Sequence, residues 1–587
     1  MTTHAIPVVA RPLAGPPLRR SGPGGWWWAP LAWVVTAGAG FALVAWADPD
    51  PLTLRGAILP LPALGVLSAL LIVLAWRFGD VSGAACGVFA GWVALVLRTM
   101  LNGTPYGFAG LYGDMGRIAA SATRYTVTPW SADAFVEEVP AEYPMLYPWL
   151  IGRASILTGV PAWRLVPEAE ILVTSGAVVA AYLLWARLVR QPVALGAAAA
   201  GLPAFGDPRK AFCVIAALVV TPWAILTFGA PPRGRLAWWA AGLVGGVMVM
   251  TYQGFLIYAA PGLLALLALT WWRAHDRWAY MIHVALVVAC AAAVSAVYVA
   301  PYVLGALKGG QALADLYVSP DMAANPFPFL DPTPLGLLQL AGMGGLIFLR
   351  GREWWAAPLL LLLAGLYVYR MAMMARFVLD GHSGFYHYTT RMAGPLLAAA
   401  GVLTVATLLA RVGPGRYGAA ALAVLLTGTG AVYWRTALPE DVQPWASAWP
   451  SSKHFFTGLA HRETGFPARL IRDRVAAVLG PGARPRVLSA DERLFAYLPW
   501  KGYIGGDRTA ANTLTRYDDR RAELARLAAI RDPAEFARAS AATRFGAIDV
   551  FVLDDWRWRG ITFQPAQFAG FRQFTELPER IVLLVRT

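Results

Sequence analysis

Cysteine is nearly absent. The 587 residues include three, Cys86, Cys213 and Cys290. Each lies inside an apolar stretch, which excludes a disulfide-stapled fold and argues against a thiolate metal site. Charge is scarce as well. Asp, Glu, Lys and Arg make up 14% of the chain, where a soluble protein of this size carries roughly 25%. With 58% hydrophobic residues and a mean hydropathy of +0.52, a soluble globular class is excluded. No Walker-type phosphate loop, dinucleotide fingerprint or Ser-His-Asp signature stands in a convincing context. That argues against a nucleotide-sugar donor bound on the cytoplasmic side.

What the chain has is long apolar runs, near 26–47, 57–77, 83–101, 169–189, 193–206, 211–230, 236–251, 252–272, 279–303, 335–349, 354–371, 391–410 and 417–435. A run of about twenty residues crosses a bilayer core about 30 Å thick. The expectation is a polytopic α-helical membrane protein with about thirteen crossings. Reading 236–272 as one helix and dropping the short 193–206 stretch gives about eleven, with the same final orientation.

Basic residues exceed acidic ones, 49 against 34, for a net charge of +15. Most of the Arg sits between helices, so the positive-inside rule accounts for much of the excess and no nucleic-acid partner is implied. With the N-terminus in the cytoplasm, Arg77, Arg187, Arg190, Arg233, Arg235, Arg273, Arg277, Arg350, Arg352, Arg411 and Arg416 all fall inside. Residues 1–25 are polar and Pro-rich, and read as a disordered cytoplasmic tail before a retained first helix. A membrane domain then spans 26–435. Its extracytoplasmic loops are 102–168, 304–334 and 372–390, with a short turn at 207–210.

The tail, 436–587, is different in kind. Charge rises and long apolar runs end. Arg520 to Arg538 reads as one amphipathic helix, and 486–489, 548–553 and 581–585 read as short buried strands. This is a small extracytoplasmic α/β domain. Without disulfides it must bury its own core or dock on the membrane domain.

The acidic, His-bearing and aromatic loops collect on one face. The first carries Asp114, Arg117, Arg124, Glu137, Glu138 and Glu142-Tyr143-Pro144, with Tyr147 and Pro148 following. The second carries Lys308, Asp315, Tyr317, Asp321 and Asp331. The third carries Arg376, Asp380, His382, His387 and Tyr388, with Arg391 just after it. Transfer of a sugar to a hydroxyl needs a base for the acceptor proton and positive charge on the departing phosphate. A carboxylate suits the first task and the Arg fork the second. If Asp114 begins a helix, Asp114 and Arg117 share a face near its N-terminus. Asp after Gly is equally an ordinary helix cap. Glu137 and Glu138 read as a solvated face. Arg209 and Lys210, in Asp207-Pro208-Arg209-Lys210, break the positive-inside pattern; they would meet lipid phosphate or snorkel to headgroups. His382 and His387 are poorly spaced for one metal.

Three stretches carry a family resemblance: Gly113-Asp114 with Glu142-Tyr143-Pro144 and Tyr147-Pro148; Leu316-Tyr317-Val318-Ser319-Pro320-Asp321 with Pro326-Phe327-Pro328; and the tail. In the tail the matching segments are Ser452-Lys453-His454-Phe455-Phe456, Val487-Leu488-Ser489-Ala490-Asp491, Tyr503-Ile504-Gly505, Tyr517-Asp518-Asp519-Arg520 and Val550-Phe551-Val552-Leu553. In order and topology the chain resembles the actinobacterial galactan arabinofuranosyltransferases of cell-wall synthesis. These belong to the GT-C superfamily of polyprenyl-phosphate-dependent glycosyltransferases. The resemblance implies a GT-C-like fold, a decaprenyl-phosphoryl-arabinose donor and a lipid-linked galactan acceptor in arabinogalactan synthesis at the plasma membrane. It implies Asp114 as base and Glu142 as a second acid. It implies Arg391 and the 304–334 loop, with Tyr317 and Asp321, as donor contacts; on their own chemistry Arg117, Tyr143, Tyr147, Arg209, Lys210 and His387 are further candidates for donor or acceptor contacts. No metal-ligand set stands out, and the superfamily's mixed metal dependence leaves a divalent cation open. Met115-Gly116, His382 and His387 stand outside the family pattern. The nearest alternative is transfer of another polyprenyl-linked sugar. The alternative from another class is a transporter or flippase for lipid-linked glycans, whose polar residues would line a path inside the membrane.

Overall fold

The computed structural model describes residues 25–78, 80–412, 417–438 and 455–587. The polar N-terminal segment, up to residue 24, and Ser452-Lys453-His454 lie outside the described residues.

Every apolar run forms a helix. In chain order the helices are α1 (Trp28–Ala47), α2 (Leu54–Ala57), α3 (Pro60–Phe78), α4 (Ser82–Met100), α5 (Gly113–Arg124), α6 (Leu146–Thr158), α7 (Ala162–Leu188) and α8 (Gln191–Phe205). They continue as α9 (Ala211–Phe228), α10 (Trp238–Tyr252), α11 (Gly254–Arg273), α12 (Arg277–Ala306), α13 (Pro334–Phe348), α14 (Ala356–Asp380), α15 (Thr389–Val412) and α16 (Tyr417–Ala437). Among the described residues nine helices are long and apolar enough to cross a membrane, and α10 and α13 are shorter apolar ones. The 236–272 stretch is two helices, broken at Gln253.

Small residues let helices close on one another, as they do where no water drives packing. A Cβ on Gly365 of α14 would lie 2.1 Å from the Gly262 nitrogen of α11, so these two backbones touch. At the centre stands α9, with 94% of its apolar window buried. The residue at its head, Lys210, is thereby fixed against the core.

One loop is shorter than expected. Residues 372–380 extend α14 and are not loop. Ala372, Met373, Met374 and Ala375 are strong helix formers, and Arg376 pairs with Asp380 one turn on at 3.3 Å. The helix stops at Gly381, whose φ of +80° closes the end. Arg376 therefore rides on a helix, and the connecting loop starts at 381.

The tail holds α17 (Phe455–Arg462), α18 (Ala468–Leu479), α19 (Arg493–Tyr497), α20 (Tyr517–Ala529) and α21 (Pro533–Ala541). Its strands are β1 (Arg486–Ser489), β2 (Lys501–Gly502), β3 (Val550–Asp554), β4 (Arg557–Trp558), β5 (Ile561–Thr562), β6 (Phe571–Phe574) and β7 (Ile581–Arg586). β1 runs parallel to β2 and β3, with Val487 opposite Val550. β3 and β7 are antiparallel, β6 pairs on the far edge of β7, and β4–β5 form a small hairpin off the end of β3. β3 and β7 read as continuous apolar runs because both faces are covered. Phe551 meets Phe536 and Phe568 on one side, and Val550, Val552 and Leu583 pack with Ile471 and Val475 of α18 on the other.

The single helix expected over Arg520–Arg538 is two. α20 ends at Ala529, and Asp532 caps a new helix whose first residue is Pro533. Proline favours the first turn and would clash inside a helix. Leu524 and Leu527 are fully buried, while Ile530 falls in the link.

The tail is welded to the first long loop. Arg124 of α5, 1% exposed, donates to the carbonyls of Pro499 (3.1 Å) and Trp500 and lies 3.4 Å from Glu137. Glu137 also takes Arg484 at 2.9 Å and Lys501 at 3.8 Å, and Glu138 takes Arg486. Glu137 and Glu138 are thus docking residues, not the solvated face expected. Phe135 packs edge-on against Phe495 at 5.5 Å, and its carbonyl accepts from the Gly502 amide at 2.7 Å.

Candidate active site

The site forms where α5, the α8–α9 turn and the start of α15 meet. α5 begins after Tyr112, with Gly113 at φ +54°, so Asp114 is the second helical residue and not the cap. Met115 turns into the core, 1% exposed. A Cβ on Gly116 would sit 2.2 Å from the Leu111 carbonyl oxygen, so only glycine fits. The Met115-Gly116 pair seats α5 and leaves Asp114 facing out.

Lys210 Nζ lies 2.5 Å from Asp114 Oδ2 and donates to the Tyr388 hydroxyl at 2.6 Å. Its side chain is only 4% exposed, whereas that of Asp114 is 35% exposed. Beside this pair, Asp207 holds Arg391 at 2.6 Å and Arg209 at 3.2 Å. Arg391 also stands 3.7 Å from Asp321 and lies over the Tyr388 ring at 5.1 Å. The turn is shaped by Gly206 at φ +70° and by the Asp207 carboxylate, which accepts the Arg209 amide. Arg209 and Lys210 therefore face inward to carboxylates and do not snorkel. Arg117, one turn from Asp114, spreads its guanidinium between Phe135 (5.7 Å) and Tyr143 (5.9 Å).

Four cations, Arg117, Arg209, Lys210 and Arg391, thus face three carboxylates, Asp114, Asp207 and Asp321. Burial works against ionisation of Asp114, but the charge and hydrogen bond of Lys210, with Arg117 and Arg209 behind, hold its carboxyl down at about 2. Burial likewise opposes ionisation of Asp207, and Arg391, Arg209 and Lys210 override it and hold the carboxyl far below the usual range. Lys210 is raised above its ordinary value against the pull of burial, chiefly by Asp114. Burial and the nearby Asp114 push the Tyr143 phenol well up, so it stays neutral.

An aromatic wall lines the cluster. Tyr143 and Tyr147 pack on Phe212 at 5.9 and 5.6 Å, and Phe212 leads through Tyr252 to Tyr388. His387 is buried with its ring 4.6 Å from that of Tyr388, and burial, with Arg391 and Lys210 near, holds it below the usual imidazole range.

Two expected residues are not brought in. Glu142 turns toward the tail: its carboxylate accepts from the Thr513 amide (2.5 Å), the Thr513 hydroxyl (2.8 Å) and Tyr302 (2.9 Å). Tyr317 stands 41% exposed on its loop. Asp207, Tyr388 and Tyr252, to which the sequence assigned no role, are part of the cluster. The one signal for Asp207 was its place in a turn that breaks the positive-inside pattern. His382 is spent on Asp315 at 2.6 Å, which ties the second loop to the third. Among the described residues no group of three or more His, Cys, Asp or Glu is placed to hold a metal ion. The donor set at Asp114 is a carboxylate already neutralised by an ammonium, which does not suit a divalent cation.

The cluster offers a carboxylate and a bank of cations at one end of a helical bundle. A family model described as arabinofuranosyltransferase N terminal matches residues 52–432, and one described as arabinofuranosyltransferase A C terminal matches 468–562. The galactan 5-O-arabinofuranosyltransferase of Mycolicibacterium smegmatis is 26% identical over 526 residues, covering 85% of this chain and 84% of the relative. That of Mycobacterium tuberculosis is 25% identical, covering 81% and 77%. That of Corynebacterium glutamicum is 24% identical, covering 84% and 82%. Among solved structures, ArnT from Cupriavidus metallidurans bound to undecaprenyl phosphate aligns at a TM-score of 0.47 and 16% identity, over 85% of this chain and 97% of that one. Arabinofuranosyltransferase AftD from Mycobacteria aligns at 0.48 and 15%, over 86% and 40%. Likenesses below 0.5 leave the assignment resting on the sequence matches. With one family model spanning most of the membrane-embedded part and a second taking up most of the tail, the chain belongs to the arabinofuranosyltransferase family and is a multi-pass membrane glycosyltransferase.

Proposed function

We propose that the protein moves arabinofuranose from decaprenyl-phosphoryl-arabinose to a hydroxyl of a lipid-linked galactan, on the outer face of the plasma membrane. Asp114 takes the proton of the acceptor hydroxyl. The oxygen adds to the anomeric carbon, and the bond from that carbon to phosphate oxygen breaks, its electron pair leaving with the polyprenyl phosphate. A single displacement of this kind needs one base. Lys210, Arg391 and Arg209 receive the phosphate, where the Arg fork and the ammonium offset the growing negative charge. Arg117, held open over Tyr143, and Asp321 contact the sugars. Glu142 orients the acceptor indirectly, by fixing the tail against the membrane domain.

The observation that carries this reading is the pairing of a part-exposed carboxylate with a buried cation, Asp114 with Lys210, next to the Arg391–Asp207 pair. Names of the relatives support the sugar and the acceptor. The positive-inside pattern supports a cytoplasmic N-terminus and an outer tail.

The test is transfer of radiolabelled arabinose from decaprenyl-phosphoryl-arabinose to a short galactofuranose oligosaccharide, with wild type and Asp114→Asn side by side in membranes. General-base loss predicts a fall of about 10²–10⁴-fold. Equal transfer by both would move the base elsewhere. No transfer by wild type would discard the arabinosyl donor in favour of another polyprenyl-linked sugar.

A further inference from the structure

The proposed base is already engaged. Its partner, Lys210, lies at 2.5 Å, and a carboxyl held at about 2 has little affinity for a hydroxyl proton. The charged and titratable groups around Asp114 and Lys210 come from every side: Arg117 on α5, Tyr143 beyond it, Asp207 and Arg209 on the turn, Cys213 on α9, His387 and Tyr388 just before α15 and Arg391 in its first turn. Of these, Lys210 is the largest influence keeping Asp114 ionised, and burial opposes it.

Lys210 has a second partner. The Tyr388 hydroxyl accepts from it at 2.6 Å, and the Tyr388 ring lies 5.0 Å from the ammonium. Nζ can therefore leave Asp114 without losing every contact. Arg391 lies over the same ring, so a phosphate beside Arg391 is within the swing of the lysine.

We propose that the donor phosphate takes Lys210 away from Asp114, so that the base comes into being only once the donor is seated. This inference rests on the donor reading above and adds its order and its trigger. The ammonium exchanges a carboxylate for a phosphodiester oxygen while Tyr388 keeps hold of it. Asp114, left with burial and the more distant Arg117, gains proton affinity. The acceptor hydroxyl takes the place that Nζ has vacated and gives its proton to Asp114 as the new glycosidic bond forms. The polyprenyl phosphate that departs carries more negative charge than the donor did, so it holds Lys210 until it leaves. Return of Lys210 then expels the proton to water and resets the pair. Tyr388 is a positioning residue in this cycle.

The test is a cryo-EM structure of the full-length protein with decaprenyl phosphate, set against the lipid-free protein. The expected result is the phosphate on Lys210, with Nζ beyond about 4 Å from Asp114, the usual limit of an ion pair, and still on Tyr388. A phosphate on Arg391 or Arg209 with Lys210 still on Asp114 would overturn the exchange while leaving the donor reading standing. A phosphate bound elsewhere would remove both. A second readout is the pH dependence of kcat/KM for the acceptor at saturating donor. Loss of a neighbouring cation raises a carboxyl pKa by about 1–3, so the acid limb should lie that far above the pH at which Asp114 titrates in the lipid-free protein, read from the pH dependence of stability of wild type against Asp114→Asn. An acid limb left at the free-protein value would overturn the proposal.

Discussion

Glu142→Gln separates a carboxylate that holds the fold from one that works on substrate. Glu142 accepts three hydrogen bonds on its carboxylate, two of them from Thr513 and one from Tyr302. Its carbonyl takes Tyr298 and Gln253 as well. Hydrogen bonds to a charged group contribute about 1.5–3 kcal/mol each. Glutamine keeps one acceptor oxygen in place of two and carries no charge, so whichever way its amide turns, the charge-assisted bonds become neutral ones and at least one hydroxyl must turn round to accept. With the residue only half-buried, the expected loss is about 2 kcal/mol. It should appear where the contact is, at the join between tail and membrane domain. The assay pairs thermal unfolding with limited proteolysis of the tail, alongside transfer kinetics. The expected outcome is a lower unfolding midpoint, faster release of the tail, a raised acceptor KM and a kcat within a few-fold of wild type. A variant with unchanged stability and transfer down more than about 100-fold, the scale of a lost general base, would refute the structural role and make Glu142 the second acid.

Two further outcomes follow from the same ion pairs. Asp207→Ala takes from Arg391 and Arg209 the carboxylate they share, and breaking a buried pair from one side costs about 3–5 kcal/mol; the thermal midpoint should fall, and added polyprenyl phosphate should recover part of the loss by replacing the missing carboxylate. The Asp114 carboxyl is lowered on folding from 3.8 to about 2, so its contribution is present above the unfolded value and lost as pH falls through the folded one. The difference in thermal midpoint between wild type and Asp114→Asn should therefore stay constant from pH 8 to pH 5 and shrink only below about pH 4.

The membrane helices were legible because an apolar run of sufficient length has few alternatives in a bilayer. Their ends were less so, since a cap and not hydropathy decides where a helix stops: α14 runs nine residues past the expected 371 to Asp380 because Gly381 is the first residue that ends it. The break between α20 and α21 was written in Asp532-Pro533, a start signal for a new helix, and the amphipathic spacing of Leu524 and Leu527 obscured it. The candidate site was half legible. Asp114 at the start of a helix could be read locally. Its partner Lys210 is 96 residues away and Tyr388 a further 178, and only the packing of α9 at the centre of the bundle brings them together. Glu137 and Glu138 look solvated in sequence because their partners, Arg484 and Arg486, lie 347 and 348 residues further on.

The degree to which each loop carboxylate is already satisfied sorts them by role. Glu137 meets three cations, Glu142 receives three donors, and Asp207 is held by two arginines with its side chain 4% exposed. Such groups are tied into the fold, and engaging a substrate would break contacts that hold it. Asp114 differs in having, among the described residues, one direct side-chain partner, itself shared with Tyr388, and a third of its surface open. Asp321 differs in the same sense, 45% exposed with Arg391 no nearer than 3.7 Å. An enzyme that must accept a proton and release it again needs a carboxylate whose partner can be exchanged. Asp114 meets that condition because Lys210 has Tyr388 to fall back on, and Asp321, held only loosely, is suited to bind a sugar hydroxyl beside it.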